Sequence, residues 1–103
     1  MVQAKVTFRE QTIQLIEITG HAEAGEFGND LVCAGITAIV SGALNGLDLL
    51  HHSKVKLTVL ENQIIIKVIK QDSDLQKLLQ FLLIQLQTIN VQYPKNFAIE
   101  EVL

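Results

Sequence analysis

The chain of 103 residues has a single cysteine, a single proline, no tryptophan and few other aromatic side chains. One cysteine cannot form an intrachain disulfide, which is typical of a protein kept in a reducing compartment. With so few aromatic residues, the hydrophobic core must be built from Leu, Ile, Val and Ala. The formal charge of −3 comes without a cluster of Lys and Arg, so direct binding to a nucleic-acid backbone is not expected.

Two stretches of the sequence bear on secretion and on membrane insertion. Residues 1–10 alternate apolar and polar side chains and carry charges where a signal peptide has an apolar run. The uncharged stretch 31–47 contains polar side chains and glycines, and it is shorter than the roughly 20 apolar residues of a membrane span. We predict that this stretch forms a buried helix, and that the protein is cytoplasmic and does not insert into a membrane.

The N-terminal third predicts a β-hairpin followed by a glycine-rich loop. Residues 2–8 alternate with the period of two that is typical of a half-buried strand. After a polar turn at Glu10 and Gln11, the apolar positions change phase between Leu15 and Ile16, which predicts a bulge or a strand covered on both faces. The periodicity stops over residues 20–30, where three glycines predict a flexible loop.

The rest of the sequence predicts two helices separated by a second hairpin. The first helix is predicted from about Leu31 to Leu50. The alternating run 55–59 and a second apolar run, 64–69, are separated by Glu61 and Asn62 as by a tight turn, and together they predict the hairpin. Ser73 and Gln76 form a capping box that predicts the start of the second helix. Small residues recur at every fourth position of the first helix and would let another backbone approach closely: Ala34, Ala38, Gly42 and Gly46.

The order of predicted elements is ββαββα, with a possible short terminal strand after the only proline, Pro94. This order predicts a single α+β domain over residues 1–103, with an antiparallel or mixed sheet and two helices packed on one face. The second helix has a wider apolar surface than packing on one sheet requires, because it also carries Phe81 and Ile84. A partner subunit would cover this surface, so a homodimer is predicted.

Three side chains in the loop and at the start of the first helix are candidates for catalysis: His21, Asp30 and Cys33. If Asp30 is the N-cap, Cys33 lies in the first helical turn, where unpaired amides and the helix dipole favour a thiolate. His21 lies just upstream in the glycine-rich loop. There it could form an ion pair with the thiolate and later protonate a leaving amine.

Each of these residues also has an interpretation without catalysis. A cysteine between apolar neighbours in a helix is typical of an inert core residue, and a loop histidine need have no function. Asp30 either caps the helix or orients the ring of His21 as a third catalytic residue, and the pattern leaves both open. A metal site that adds His51 or His52 is disfavoured, because the residues lack paired-ligand spacing. No metal or other cofactor is therefore expected.

Residues 20 to about 41 combine several motifs: Gly20-His21-Ala22, the downstream Gly28 and Asp30, and Val32-Cys33-Ala34 at the helix start. In these features the stretch resembles the ribosomal-processing cysteine protease family known as Prp, found in Firmicutes and related bacteria. The resemblance implies an α+β homodimer that removes a short N-terminal extension from large ribosomal subunit protein twenty-seven. It implies that Cys33 is the nucleophile and His21 the base, and that Asp30 is the family's nearby aspartate.

The glycine-rich loop suggests how such a site would be assembled. With Gly20, Gly25 and Gly28 as hinges, the loop would close over a bound peptide and complete the site only when substrate is present. An acidic chain also suits a basic ribosomal protein as partner. Two other classes of function stay open: a noncatalytic assembly factor that holds a ribosomal protein with the same loop, and a structural domain that only dimerises.

Overall fold

The computed structural model describes the backbone of residues 1–20 and 27–103, and the side chains of residues 1–20 and 31–103. Five strands and two helices lie in these ranges, and the predicted element order, including the terminal strand, is confirmed. The elements are β1 (Val2–Arg9), β2 (Thr12–Thr19), α1 (Phe27–His51), β3 (Val55–Val59), β4 (Gln63–Val68), α2 (Ser73–Gln92) and β5 (Phe97–Val102).

The five strands form one mixed sheet in the order β3-β4-β2-β1-β5. The pairs β1/β2, β2/β4 and β3/β4 are antiparallel, whereas β5 lies parallel to β1. Of the two helices, α1 contacts β3 and α2, while α2 contacts β2 and β5. By the strand order, β3 and β5 form the two edges of the sheet. By the helix contacts, α1 lies over the β3 side and α2 over the β5 side.

One face of the sheet carries the hydrophobic core. Ala4 of β1 is paired with Ile18 of β2, which is paired in turn with Ile64 of β4, and all three are buried. Gln3 and Lys5 point to the opposite face and are exposed, so β1 shows the predicted alternation. The helices cover the apolar face with these buried side chains: Val32, Ile36, Val40, Leu47, Leu75, Leu79, Leu82, Leu83 and Leu86.

The phase change that the sequence shows in β2 is a bulge. Thr7 is paired with Leu15 but Phe8 is paired with Ile13, so β2 has one residue, Gln14, more than β1 at this point. The extra residue brings Ile13 onto the core face together with Ile16, although an odd number of positions separates them. The prediction of a bulge is confirmed.

The first helix begins earlier than predicted. It starts at Phe27 rather than at about Leu31, so Asp30 lies within its first turn and is not the N-cap. Cys33 is then in the second turn instead of the first. An acidic residue complements the helix dipole anywhere in the first turn, and one glycine costs a helix only about 1 kcal/mol, so this sequence pattern suits either start.

The second helix also has a different cap from the predicted one. Asp72 is the N-cap, and its carboxylate accepts hydrogen bonds from the backbone N–H groups of Asp74 and Leu75 at 2.9 and 3.0 Å. Gln76, predicted as the capping-box partner of Ser73, is instead buried and bonds to the backbone of Ile13. The prediction was wrong by one residue because a carboxylate stood next to the serine.

Helix α1 is only partly buried, contrary to the prediction of a buried helix. Val32, Ile36 and Val40 face the core, whereas Thr37 and Ser41 on the other side are exposed. The segment Leu31–His51 has 21 residues and a mean hydropathy of 1.5, which by length and composition alone is enough to cross a membrane. The core helices of folded domains meet the same criteria.

Candidate active site

The candidate site lies at one end of the sheet, which we call the open end and define by Gln3, Thr19, Val59 and Gln63. Thr19 is paired with both Gln3 and Gln63, so β1 begins and β2 ends at the same level as the start of β4. The turn from β3 to β4 lies at this level too. Because α1 follows β2 and ends beside the start of β3, its N-terminal turns lie at the open end.

Cys33 is half-buried in the second turn of α1. It lies nine positions before Gly42, which is about two and a half helical turns, so the two residues point in opposite directions. Gly42 lines the groove between α1 and α2. Cys33 therefore lies on the flank of α1 that faces away from α2, toward the β3 edge of the sheet.

Gly20 directly follows β2 at a position that requires glycine. Its φ is +80°, and a Cβ placed there would lie 2.5 Å from the backbone oxygen of Met1. Its N–H donates to the backbone oxygen of Asn62 at 3.3 Å, so Gly20 is tied to the turn between β3 and β4. The glycine-rich segment therefore starts from a defined point beside this turn.

Of the predicted site residues, the structure describes Cys33 and Gly20 in full. His21 and Gly25 lie outside the described residues, and Gly28 and Asp30 lie in the first turn of α1, where only the backbone is described. The distance between His21 and Cys33 and the hinge role of the three glycines stay predictions. The topology does place Gly20, the residue before His21, and the N-terminal turns of α1, which carry Cys33, at the same end of the sheet.

The end of β3, which the sequence analysis did not single out, lies at the same open end. Along this strand the side chains on the core face become more exposed toward the open end: Val55 is 5% exposed, Leu57 is half-buried and Val59 is 65% exposed. Leu60, in the turn, is also 53% exposed. The alternation of residues 55–59 predicts a strand but does not show which strand is an edge, so the sequence carries no signal for this feature.

The family whose sequence model matches this chain is described as cysteine protease Prp, and the match covers residues 1–98. The chain belongs to this family. The resemblance seen in the sequence is confirmed, and so is the prediction of a cysteine protease. The sequence contains only one cysteine, Cys33.

Two relatives show how far the likeness to Prp extends. The ribosomal processing cysteine protease Prp of Staphylococcus aureus strain Mu50 is 29% identical over 103 residues, which cover 96% of this chain and 97% of the relative. The protein with the same name in Bacillus subtilis strain 168 is 48% identical over 48 residues, or 46% of this chain and 43% of the relative. The first relative matches almost end to end.

Solved Prp structures share the fold. The S. aureus Prp crystal structure with a substrate peptide has a TM-score of 0.90 at 26% identity, and covers 98% of this chain and 99% of that one. The S. aureus structure with a covalently linked product peptide has a TM-score of 0.86 at 27% identity, with the same coverage. The predicted α+β architecture, with both helices on one face, is thus the Prp fold.

A metal site that combines Cys33 with the histidines at the end of α1 does not fit this geometry. His51 is the last residue of the helix, one position beyond the predicted end. It lies 18 positions after Cys33, which at 1.5 Å per residue is about 27 Å. Among the described residues, no group of three or more His, Cys, Asp or Glu side chains could hold a metal ion.

Proposed function

We propose that this Prp family member removes the short N-terminal extension of large ribosomal subunit protein twenty-seven, with Cys33 as nucleophile and His21 as general base. The observation that carries the proposal is the position of Cys33. The only cysteine of a cysteine protease lies half-buried at the open end, on the flank of α1 beside the edge of the sheet. The S. aureus relative was crystallised with a substrate peptide, which supports a peptide as ligand.

The proposed reaction has two steps. The Cys33 thiolate attacks the scissile carbonyl, the C–N bond breaks, and His21 donates a proton to the leaving amine. Water then attacks the thioester, gives a proton to His21 and releases the new carboxylate and the thiolate. Backbone amides near the start of α1 are proposed to stabilise the oxyanion in both steps.

Because Cys33 lies in the second helical turn, its thiolate depends more on His21 for stabilisation than on the helix dipole. The helix dipole acts mainly within the first turn, so α1 supports a thiolate at Cys33 less than the sequence suggested. An ion pair with the imidazolium of His21 is then the main source of activation. Asp30, three positions before Cys33, is proposed to orient His21, since it is not the N-cap.

The test is cleavage of a synthetic peptide that spans the extension and the first residues of the mature ribosomal protein. By mass spectrometry, the wild-type chain should shorten the peptide, and Cys33→Ala should reduce the rate by at least about 10³-fold. The control is Thr37→Ala, one turn further along the exposed side of α1. Both variants should melt at nearly the wild-type temperature.

The same experiment separates the peptidase from a noncatalytic assembly factor. An assembly factor would bind the peptide and return it at full mass. A Cys33→Ala chain that still trims the peptide would contradict the proposed nucleophile, because the sequence offers no other cysteine. His21→Ala, which should also lose cleavage, tests the base separately.

We also propose that the chain acts as a homodimer in the cytoplasm. Phe81 and Ile84 on α2 are 61% and 56% exposed, and Phe81 lines a groove of about 380 Å³ between α1 and α2. The groove lining includes Gly42 and Gly46 and no charged side chain. Light scattering should give twice the chain mass of 11.4 kDa, and Phe81→Ser should shift the chain toward monomer.

A further inference from the structure

The outward edge of β3 presents backbone hydrogen-bonding groups on the Cys33 side of the molecule. Leu60 N–H donates to Gln63 O at 2.8 Å, and Ile69 N–H donates to Lys54 O at 2.8 Å. Bonded positions alternate along an antiparallel pair, so positions 54, 56, 58 and 60 face β4. The N–H and C=O groups of the intervening residues, Val55, Leu57 and Val59, therefore point to the outside of the sheet.

The side chains of these same three residues point to the face that the helices cover. Val55 is paired with Val68 and Val59 with Ile64, and both partners are buried on that face. Only the Val55 end of β3 is covered, however, because Val59 is 65% exposed. The open end of the edge strand thus combines outward backbone groups with an exposed apolar side chain.

Helix geometry places Cys33 at this end of β3. Lys54 N–H donates to His51 O at 2.8 Å, so α1 ends where β3 begins. Cys33 lies about 27 Å back along the helix from His51, whereas the five residues of β3 span about 16 Å. The helix from Cys33 to His51 is thus about 11 Å longer than β3, which puts Cys33 beyond the Val59 end, toward the turn to which Gly20 is bonded.

We propose that the substrate peptide binds as an added strand on the outer edge of β3 and passes beyond Val59 to reach Cys33. This inference rests on the proposed peptidase function. Backbone hydrogen bonds to Leu57 and Val59 hold the peptide extended, and the space above Val59 accepts an apolar side chain near the scissile bond. The ligand class is an unfolded peptide tail. A helical or folded segment already uses its own backbone N–H and C=O groups in internal hydrogen bonds and cannot offer them to β3.

The other edge of the sheet is less suited to this role. Val2 N–H donates to Asn96 O, so the backbone groups of Phe97 point away from β1, to the outside. There Phe97 O accepts from Asn90 Nδ2 at 2.7 Å, and Phe97 N–H donates to Tyr93 O at 3.1 Å. In addition, β5 lies on the α2 side of the sheet, whereas Cys33 faces away from α2. This edge supplies the control.

The first test modifies the peptide and needs only one protein variant. Copies of the extension peptide, each N-methylated at one backbone amide, are titrated against the chain with Cys33→Ala, which binds without cutting. An added strand presents alternate N–H groups to β3, so methylation should weaken binding roughly tenfold at every second position of the paired stretch. Methylation at the intervening positions should change binding by less than about threefold.

The second test modifies the protein. Val59→Pro removes an N–H that points outward, so no hydrogen bond to β4 is lost, and proline is tolerated at such edge positions. We expect it to lower kcat/KM roughly tenfold, mainly through KM, at an unchanged melting temperature. The control Glu101→Pro, at an outward position of β5, should stay within about twofold of wild type.

The outcomes separate this inference from the function on which it rests. Cleavage by the wild-type chain, with no alternation in the methylation series and a normal KM for Val59→Pro, would overturn the added strand and leave the peptidase standing. A wild-type chain that neither binds nor cuts the peptide would overturn both. If Val59→Pro does not fold, the methylation series decides by itself.

Discussion

The end of the sheet where α2 begins is cross-linked by the side chains of Gln76 and Asp72, whereas at the other end the start of the glycine-rich segment is fixed by backbone geometry. At the first, which we call the closed end, Gln76 bonds to both backbone groups of Ile13, and Lys54 pairs with the capping carboxylate of Asp72. At the open end, Gly20 has a φ of +80° that glycine adopts readily, its N–H is bonded to the backbone oxygen of Asn62, and exposed apolar side chains lie nearby.

This difference separates stability from function. Side-chain hydrogen bonds that cross-link α2, β2 and β3 secure the closed end. The open end can then leave strand edge and apolar surface accessible without unfolding the domain. Regions that bind ligands are commonly drawn from the less stable part of a fold. We therefore expect substitutions at the closed end to change stability and those at the open end to change activity as well.

The largest expected effect on stability is at Gln76, which is 5% exposed. It accepts from Ile13 N–H at 2.8 Å and donates to Ile13 O at 2.7 Å. Gln76→Leu would leave both buried backbone groups without partners, which should lower the free energy of unfolding by about 2–4 kcal/mol. Urea denaturation measures this loss.

The matched control for Gln76 is Gln80→Leu, one turn further along α2 at an exposed position. It should change the free energy of unfolding by less than about 0.5 kcal/mol. Equal effects at the two positions would show that the closed end is not held by the bonds between Gln76 and Ile13. The comparison between the two ends would then fail.

A smaller loss of stability is expected at the open end from Gly20→Ala. The φ of +80° and the 2.5 Å approach of a Cβ to Met1 O should together cost about 1–3 kcal/mol. Because Gly20 directly precedes His21, peptide cleavage should fall as well. Melting temperature and kcat/KM are measured side by side, and Gln76→Leu should change kcat/KM little below its own melting range.

The control for Gly20 is Gly35→Ala, two positions after Cys33 in α1. Apart from its two chain neighbours and the adjacent backbone of α1, no described atom lies within 4 Å of a Cβ built at Gly35, so alanine should stabilise the helix by up to about 1 kcal/mol. A neutral Gly20→Ala would mean that the backbone at the end of β2 relaxes easily. The open end would then not be fixed by glycine geometry.

Local patterns predicted most of the elements, because the alternation of residues 2–8 and 55–59 shows in sequence which side chains point to the core face, and turn residues separate the run 64–69 from the strand before it. The bulge at Gln14 was predictable for the same reason, since it shifts the phase of the apolar positions. The parallel pairing of β5 with β1 and the edge position of β3 depend on contacts between distant segments. No short-range pattern records them.

The site was predicted less completely than the fold. Cys33 was recognisable as a candidate nucleophile from its place near a helix start, but the actual start of α1 lies four residues earlier than predicted. Gln76 was misassigned because the spacing of a capping box looks the same whether its glutamine bonds to the helix or to another strand. The exposed Val59 could not be identified, since its exposure follows from the strand order.

The smallest expected effect is at Asp72, whose consequence appears mainly at low pH. The hydrogen bond from Lys54, followed by those from Leu75 and Asp74, lowers the pKa of the Asp72 carboxyl from 3.8 to about 2. A carboxyl with a lowered folded-state pKa stabilises the fold above its ordinary pKa, and this contribution is lost as the pH falls from about 4 to about 2.

Asp72→Asn keeps an oxygen that can cap α2 but removes the charge that this pH dependence requires. It should therefore melt slightly below wild type at pH 7, and the difference should shrink as the pH is lowered from 4 to 2. Lys54→Met should reproduce this convergence, because it removes the first cause of the lowered pKa. Melting curves between pH 2 and pH 7 provide the measurement. If the melting temperatures of variant and wild type differ by the same amount at every pH down to 2, the ion pair contributes no stability to the closed end. The hydrogen bonds of Gln76 would then be the main interaction that stabilises it.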